Sequence, residues 1–405
     1  INNVALGLQA LNLNTTGNHN TAVGYQALDA NTTGNQNVAV GRGALGDNTT
    51  GGGNTAVGDN ALDVNTTANN NSAFGISALG ANTTGTKNTA VGGYALSTIT
   101  TADNMTAVGY AALDATTSAT DCTAVGAEAL GQNTTGSNNT AVGKDTLQAN
   151  TTGANNAGFG AFALDASTTG SSNTACGIGS LGANTVASNN TATGRSSLLV
   201  NTTGANNVAF GAYSLDANTT GSNNVAVGTN ALGSNTTVNN NVAVGHNALL
   251  SNTTGTQHVA LGATSLDANT TGNDNTGLGC NTLSANTTGN RNTAVGSLAL
   301  DANTTASENT AIGYQALGVN TTGHNNIAVG NNTLDANTTG FYNIAIGRSA
   351  LGAETAGAGN VAVGYQCLDA CTTASNNIGI GQSALGAATT GYRNVCIGRD
   401  AGIRL

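Results

Sequence analysis

A glycine stands at every seventeenth residue of this chain, from Gly7 through Gly24, Gly41 and Gly58 to Gly398, 24 times without insertion or deletion. With Asn20 taken as position one of the repeat, that glycine is position five. A leucine at position nine (Leu11, Leu28, Leu45, Leu62 and on to Leu385) and a threonine at position thirteen (Thr15 to Thr389) occur in all 23 complete repeats. Seventeen residues cannot enclose a core of their own, so each repeat must stack on the next. The period therefore overrides what a length of 405 residues would suggest about domain number. It predicts one continuous repeat domain over residues 1–405, a piece of a longer protein without terminal caps.

Positions two to four (Thr21, Ala22, Val23) form a short β-branched run closed by glycine, the pattern of a strand ended by a breaker. Position five tolerates only glycine, as a positive φ or a closely packed backbone requires. Position fifteen does not: Gly34 has the counterparts Ala68, Ala102, Ala187 and Val238, which predicts a looser corner. Ala27 and Leu28 belong to a second short strand or turn. The expected fold is an all-β parallel β-solenoid, one coil per repeat, about 24 coils. At about 4.8 Å per coil it forms a rod roughly 115 Å long. The chain contains no Pro, consistent with a backbone paired all along its length.

Gly24, Gly41 and Gly58 should stack, and Leu28, Leu45 and Leu62 should fill the interior together with Val23 and Val40. Asn opens 21 of 24 repeats and holds position twelve in 17 of 23, which predicts Asn ladders along the rod. Sixteen Asn-Thr-Thr triplets match a glycosylation acceptor, but they also suit turn closure through Asn and Thr. Asp at position ten (Asp29, Asp63, Asp114 and onward) never occurs in adjacent repeats, which keeps like charges from facing one another. Duplication of blocks of two and three repeats would give the same pattern.

Position three is Ala, Gly or Cys in all 24 repeats. Pointing outward, this row would let chains approach closely, and Ala22, Ala39, Ala56, Ala209 and Ala226 become candidate residues of a homotrimer interface. Pointing inward, the same alanines would fill a thin core while Val faces the neighbour.

Composition removes several functions. A net charge of −10 with 7 % charged residues leaves no basic patch for nucleic acid. Apolar runs are too short to insert into a membrane. The six cysteines and four histidines fall at scattered repeat positions without ligand spacing or carboxylate partners. No catalytic, cofactor-binding or metal site is expected, and no enzyme activity. Aromatic and charged residues gather at positions six, seven, sixteen and seventeen. Tyr25, Tyr110, Tyr213, Tyr314, Phe341, Tyr342 and Tyr365 are therefore candidates for contact with a host receptor or glycan.

The N-T/V-A-V/I-G strand followed by a small residue and Leu resembles the YadA-like head repeat of trimeric autotransporter adhesins. The longer A-L-x-x-N-T-T-G form resembles arrays in bacteriophage tail-fibre proteins. Those adhesin repeats typically span fourteen residues, three fewer than here. The resemblance implies a left-handed parallel β-roll, three chains about one axis, on a virion or cell surface outside the cell. It also implies a structural shaft that presents a receptor-binding region for host attachment. An adhesin whose repeat surface itself binds host or glycan is the second expectation. An ice-binding solenoid is the third, weakened because adjacent Thr32 and Thr33 would point to opposite faces.

Overall fold

A computed structural model describes residues 2–403. It is all-β: 24 three-residue strands, from β1 (Val4–Leu6) and β2 (Thr21–Val23) to β24 (Val395–Ile397), one per repeat, and no helix among the described residues. The chain forms two compact units, Ile1–Ala205 and Asn206–Leu405. In the first, consecutive strands pair in parallel with a register of one repeat. Thr21 lies opposite Val38, Ala22 opposite Ala39 and Val23 opposite Val40. The second has the same register, Val225 against Val242 and Ala226 against Ala243. Each unit is a parallel β-solenoid of 17-residue coils.

Pairing does not stop at the strands. The Thr32 N–H donates to Thr49 O (2.9 Å), Leu28 N–H to Ala44 O and Ala30 N–H to Gly46 O (both 3.0 Å), and Gln36 N–H back to Asn18 O (3.0 Å). A proline at any of these positions would delete a rung.

Each coil turns its corners with unusual dihedrals. All 23 repeat leucines have φ between +50° and +56°, and positions seven and seventeen share the left-handed region, as in Gln26 (+56°) and Gln36 (+59°). For a residue other than glycine this costs about 1–2 kcal/mol. What offsets it is geometry: the turn points the leucine side chain inward while its N–H reaches the next coil. So the segment around Ala27 and Leu28 is a turn and not a strand. Glycine at position five is required for the expected reason. Gly24 has φ +136°, and a Cβ there would lie 2.4 Å from Gly41 O. Gly41 and Gly58 stack in the same way.

The interior corrects two expectations. Leu28, Leu45 and Leu62 are fully buried, but Val23 and Val40 are only half-buried and face outward with Thr21 and Val38. Ala22, Ala39, Ala56, Ala209 and Ala226 are fully buried within their own coils, the inward of the two orientations. The cause is pleating: alternate residues of a strand point to opposite sides. A coil holding Leu from one wall and Ala27 from another has room for only a methyl group at position three. Gly277 shows the tightness, since a Cβ there would lie 2.5 Å from Ser265 Oγ.

The remaining interior is asparagine. Positions one and twelve are buried, and both rows converge on one carbonyl. Asn20 Nδ2 donates to Gly34 O (2.8 Å), as does Asn31 Nδ2 (3.2 Å). Along the stack the Asn37 N–H donates to Asn20 Oδ1 (2.9 Å), and Asn48 Nδ2 to Asn31 Oδ1 (2.9 Å). The expected ladders are thus present, but as core. Gly34 lacks a positive φ, as its Ala and Val counterparts required. Its corner is buried rather than loose, with Asn31 Oδ1 and Gly51 O each 2.4 Å from a built Cβ. The same burial takes fifteen of the sixteen Asn-Thr-Thr asparagines, all but the half-buried Asn14, out of reach of glycosylation in the folded coil.

Where a ladder residue is not Asn, its neighbour is left short. Asn82 Oδ1 faces Ile99 one repeat on and has no partner; Asn150 Oδ1 faces Ser167, and Asn337 Oδ1 faces Glu354. His258 is the exception that fits. Its Nδ1 accepts from the Asn275 N–H (3.3 Å) and its own N–H donates to Asn241 Oδ1 (3.0 Å), the bonds an Asn would make.

Candidate functional site

Three surfaces remain once the core is filled. The first is the outer strand face, positions two and four. Position four is aliphatic or Phe in 22 of 24 repeats, and no charged residue occupies either row anywhere in the chain. Its larger members stand in the open: Phe74 and Phe159 are 42 % exposed in the first unit, Phe210 57 % and Leu261 44 % in the second. Position two is Thr or Ser in 12 of 24 repeats, as on a water-facing strand, whereas the apolar position-four row beside it is a candidate interaction face.

The second surface is the corner at positions seven, ten and eleven. Eight of the nine Asp residues at position ten are followed, one repeat on, by Gly, which opens shallow notches along the corner. The one lined by Asn60, Asp63, Ser77, Gly80 and Tyr94 has a volume of about 490 Å³. Partial burial pushes the carboxyls of Asp63, Asp165, Asp216, Asp335 and Asp369 above the usual carboxylate range. The spacing of these aspartates follows from stacking, because each leans over a neighbour without a side chain. In the first unit, a Cβ built on Gly46 would lie 2.8 Å from Asp63 Oδ1.

The third surface is the corner at positions sixteen and seventeen, where the second unit carries an aromatic group. The His324 and Phe341 rings stack with centroids 5.2 Å apart and planes 2° apart. The Tyr342 ring meets both edge-on, at 5.7 and 5.5 Å. Beside them Arg291 pairs with Glu308 at 2.9 Å.

Of the aromatic candidates, Tyr25, Tyr110, Tyr314, Phe341, Tyr342 and Tyr365 are exposed and Tyr213 is half-buried. Only Phe341 and Tyr342 come together. Tyr365 lies under Arg348 (5.9 Å), and Tyr110 meets Tyr94 edge-on at 6.0 Å. The threonine rows separate as their adjacency required: Thr32 donates its hydroxyl to Thr49 O (3.0 Å) along the stack, while Thr33 is exposed. Cys122, Cys367 and Cys371 are buried, and burial pushes the last two thiols up to about 11 and about 12. Among the described residues no His, Cys, Asp and Glu side chains gather as a metal site, and no helix is long and apolar enough to cross a membrane.

Neither a family model nor any curated protein matches the chain.

His324 is one of the four scattered histidines, and its ring contacts were not expected from the sequence. A signal was available. His324 and Phe341 are one period apart at position sixteen, and Tyr342 follows directly, so stacking had to bring the three together.

Proposed function

We propose that this chain is the shaft of a trimeric surface fibre, similar to a phage tail fibre, which holds a receptor-binding region away from a virion or cell. The observation that carries the reading is the uncharged apolar strand face. It lies outside coils whose own interiors are already closed by Leu, Ala and Asn. A solenoid acting alone has no use for Phe74, Phe159 and Phe210 in water, whereas three parallel chains turning this face towards a common axis bury it along their length. At about 25 cal/mol per Å² of apolar surface removed from water, an interface repeated in every coil becomes large. Parallel chains in equal register also match a position-four row that is aliphatic or Phe in 22 of 24 repeats. Intercoil hydrogen bonding on every wall supports a stiff, mechanical role.

The test is oligomeric state. Light scattering should give three times the chain mass. Phe210→Lys with Val227→Lys, both on the outer face, should release monomers with an unchanged circular dichroism spectrum. A monomeric parent, or a double variant that stays trimeric, would overturn the proposal. Lysine at Ala226, by contrast, should unfold the coil itself, because that methyl is enclosed.

A further inference from the structure

We propose that the hollow beside the His324–Phe341–Tyr342 rings is a binding site for a neutral saccharide. It goes beyond the fibre reading and does not depend on it. The hollow measures about 330 Å³ and lies wholly within the second unit. Thr305, Ser307 and Thr322 supply hydroxyls, Glu308 a carboxylate and Asn325 a carboxamide, while the His324 ring forms one wall. Phe341 and Tyr342 stand outside the hollow and pack against His324, Phe341 almost parallel to its ring and Tyr342 edge-on. The chain has only five Phe and eight Tyr, so two of them meeting a histidine at one corner is not a matter of composition.

The chemistry selects the ligand. A pyranose has an apolar face of C–H groups and a rim of hydroxyls that both donate and accept. An aromatic wall next to a few fixed polar groups complements both features, in the manner of small-ligand sites generally. Rigid aromatic side chains also contribute contact area at low entropic cost. Charge then narrows the class. Arg291 holds Glu308 in an ion pair, so neither is an uncompensated charge for an acidic sugar or a phosphate. A nucleotide would also stack on the rings, but it would bring phosphate to a chain of net charge −10. The Glu308 carboxylate, positioned by Arg291, is instead an acceptor for sugar hydroxyls, and Asn325 can donate as well as accept.

The experiment applies the full chain to an array of neutral gluco-, galacto-, manno- and N-acetylhexosamine oligosaccharides. Saturation-transfer NMR follows on whichever binds. We expect at least one to bind, with transfer from the His324 ring protons, the aromatic protons that line the hollow. Phe341→Ala with Tyr342→Ala removes the rings packed behind His324 and should weaken binding, and His324→Ala, which removes the wall itself, should weaken it further. Tyr314→Ala, on another corner of the same unit, should leave it unchanged. Glu308→Gln and Asn325→Ala remove polar partners without touching the rings, and each should weaken binding while the melt stays in place. These two variants decide the matter if the double ring variant disturbs the coil. No binding to any neutral glycan, or binding unaffected by Glu308→Gln and Asn325→Ala, overturns the proposal.

Discussion

Glu354→Gln should stabilise this protein at pH 8 and do almost nothing at pH 4. Glu354 occupies position twelve, where the ladder wants an amide, and it is fully buried. Its Oε1 accepts from the Ala356 N–H (3.1 Å) and from the Gly357 N–H. Its Oε2 has no partner, and neither has Asn337 Oδ1, the ladder atom one repeat before it. The Asn337 amide cannot be turned to help, because its Nδ2 already donates to Asn320 Oδ1 (2.8 Å) and Gly340 O (3.2 Å). Two acceptors therefore face each other unless the carboxyl carries a proton. A proton on Oε2 would give Glu354 the donor that the Asn ladder supplies towards Asn337 Oδ1 in other repeats. Burial raises this carboxyl above its ordinary value of 4.5. Between the unfolded and folded pKa the native state binds more protons than the unfolded chain, so stability falls as pH rises. The contribution is complete below about pH 4.5 and is lost as pH climbs through the folded value.

Glutamine supplies permanently the donor that glutamate has only when protonated. A buried polar atom without a partner costs about 1–3 kcal/mol, and more when charged. The gain from Glu354→Gln should therefore reach about 1–3 kcal/mol at pH 8. At pH 4, where glutamate already donates, the difference should shrink to within about 0.5 kcal/mol. A stacked array can open locally, so the readout is hydrogen exchange at the Ala356 and Gly357 amides, alongside urea unfolding at both pH values. A stabilisation of equal size at pH 4 and pH 8 would refute the proton-donor argument. So would faster exchange in the variant at pH 8.

Two further outcomes follow from the same ladders. Asn286→Ala should destabilise by about 2–4 kcal/mol in urea unfolding, because it strands buried partners on both sides: Asn286 Nδ2 donates to Asn269 Oδ1 (2.8 Å), and Asn303 Nδ2 donates to Asn286 Oδ1 (2.9 Å). His258 should make the second unit acid-sensitive, because burial holds its imidazole below 6.5 even with Asp274 nearby, and its Nδ1 must stay unprotonated to accept from Asn275. The unfolded chain then binds more protons, so stability is full above about pH 6.5 and falls as pH drops through the folded value; His258→Asn should flatten that dependence in melts between pH 7 and pH 4.

The solenoid, its 17-residue coil and its stacked glycines were legible because Gly24 and its equivalents admit no other residue. The Asn rows were legible as ladders for the same reason of strict phase. Which way the strand faces was not legible. Alternation says that Ala22 and Val23 point to opposite sides, but not which side is inside, and hydrophobicity alone favours the larger residue within. The choice is made by what else occupies the coil. That depends on the left-handed Leu28, a conformation for which leucine gives no local signal, since Gly and Asn are its usual occupants. The aromatic corner was legible in part, as Phe341 and Tyr342, while its third ring at His324 needed the period to be applied across repeats.

The inversion of the strand face also explains a composition that looks too polar for a folded chain. The commonest core of a coil is one Leu, two Ala and two Asn side chains, with Gly or Ala at the corner, and Ser, Thr or Cys replaces the second Ala in eight coils. Hydrogen bonds to Asn do there what a larger hydrophobic cluster would do in a globular domain. They are also more demanding, since every Oδ1 needs a donor from the next repeat and every break at Ile99, Ser167 or Glu354 leaves an orphan. Such a core specifies register: a coil slipped by one residue would bury Thr and Val where the ladder requires Asn. The apolar residues thus spared are placed on the outer face, where the coil itself makes no use of them. An interior closed by asparagine and an exterior lined with Val, Ile and Phe are two halves of one arrangement. It holds a single chain in register and leaves an apolar row on the outside of the coil.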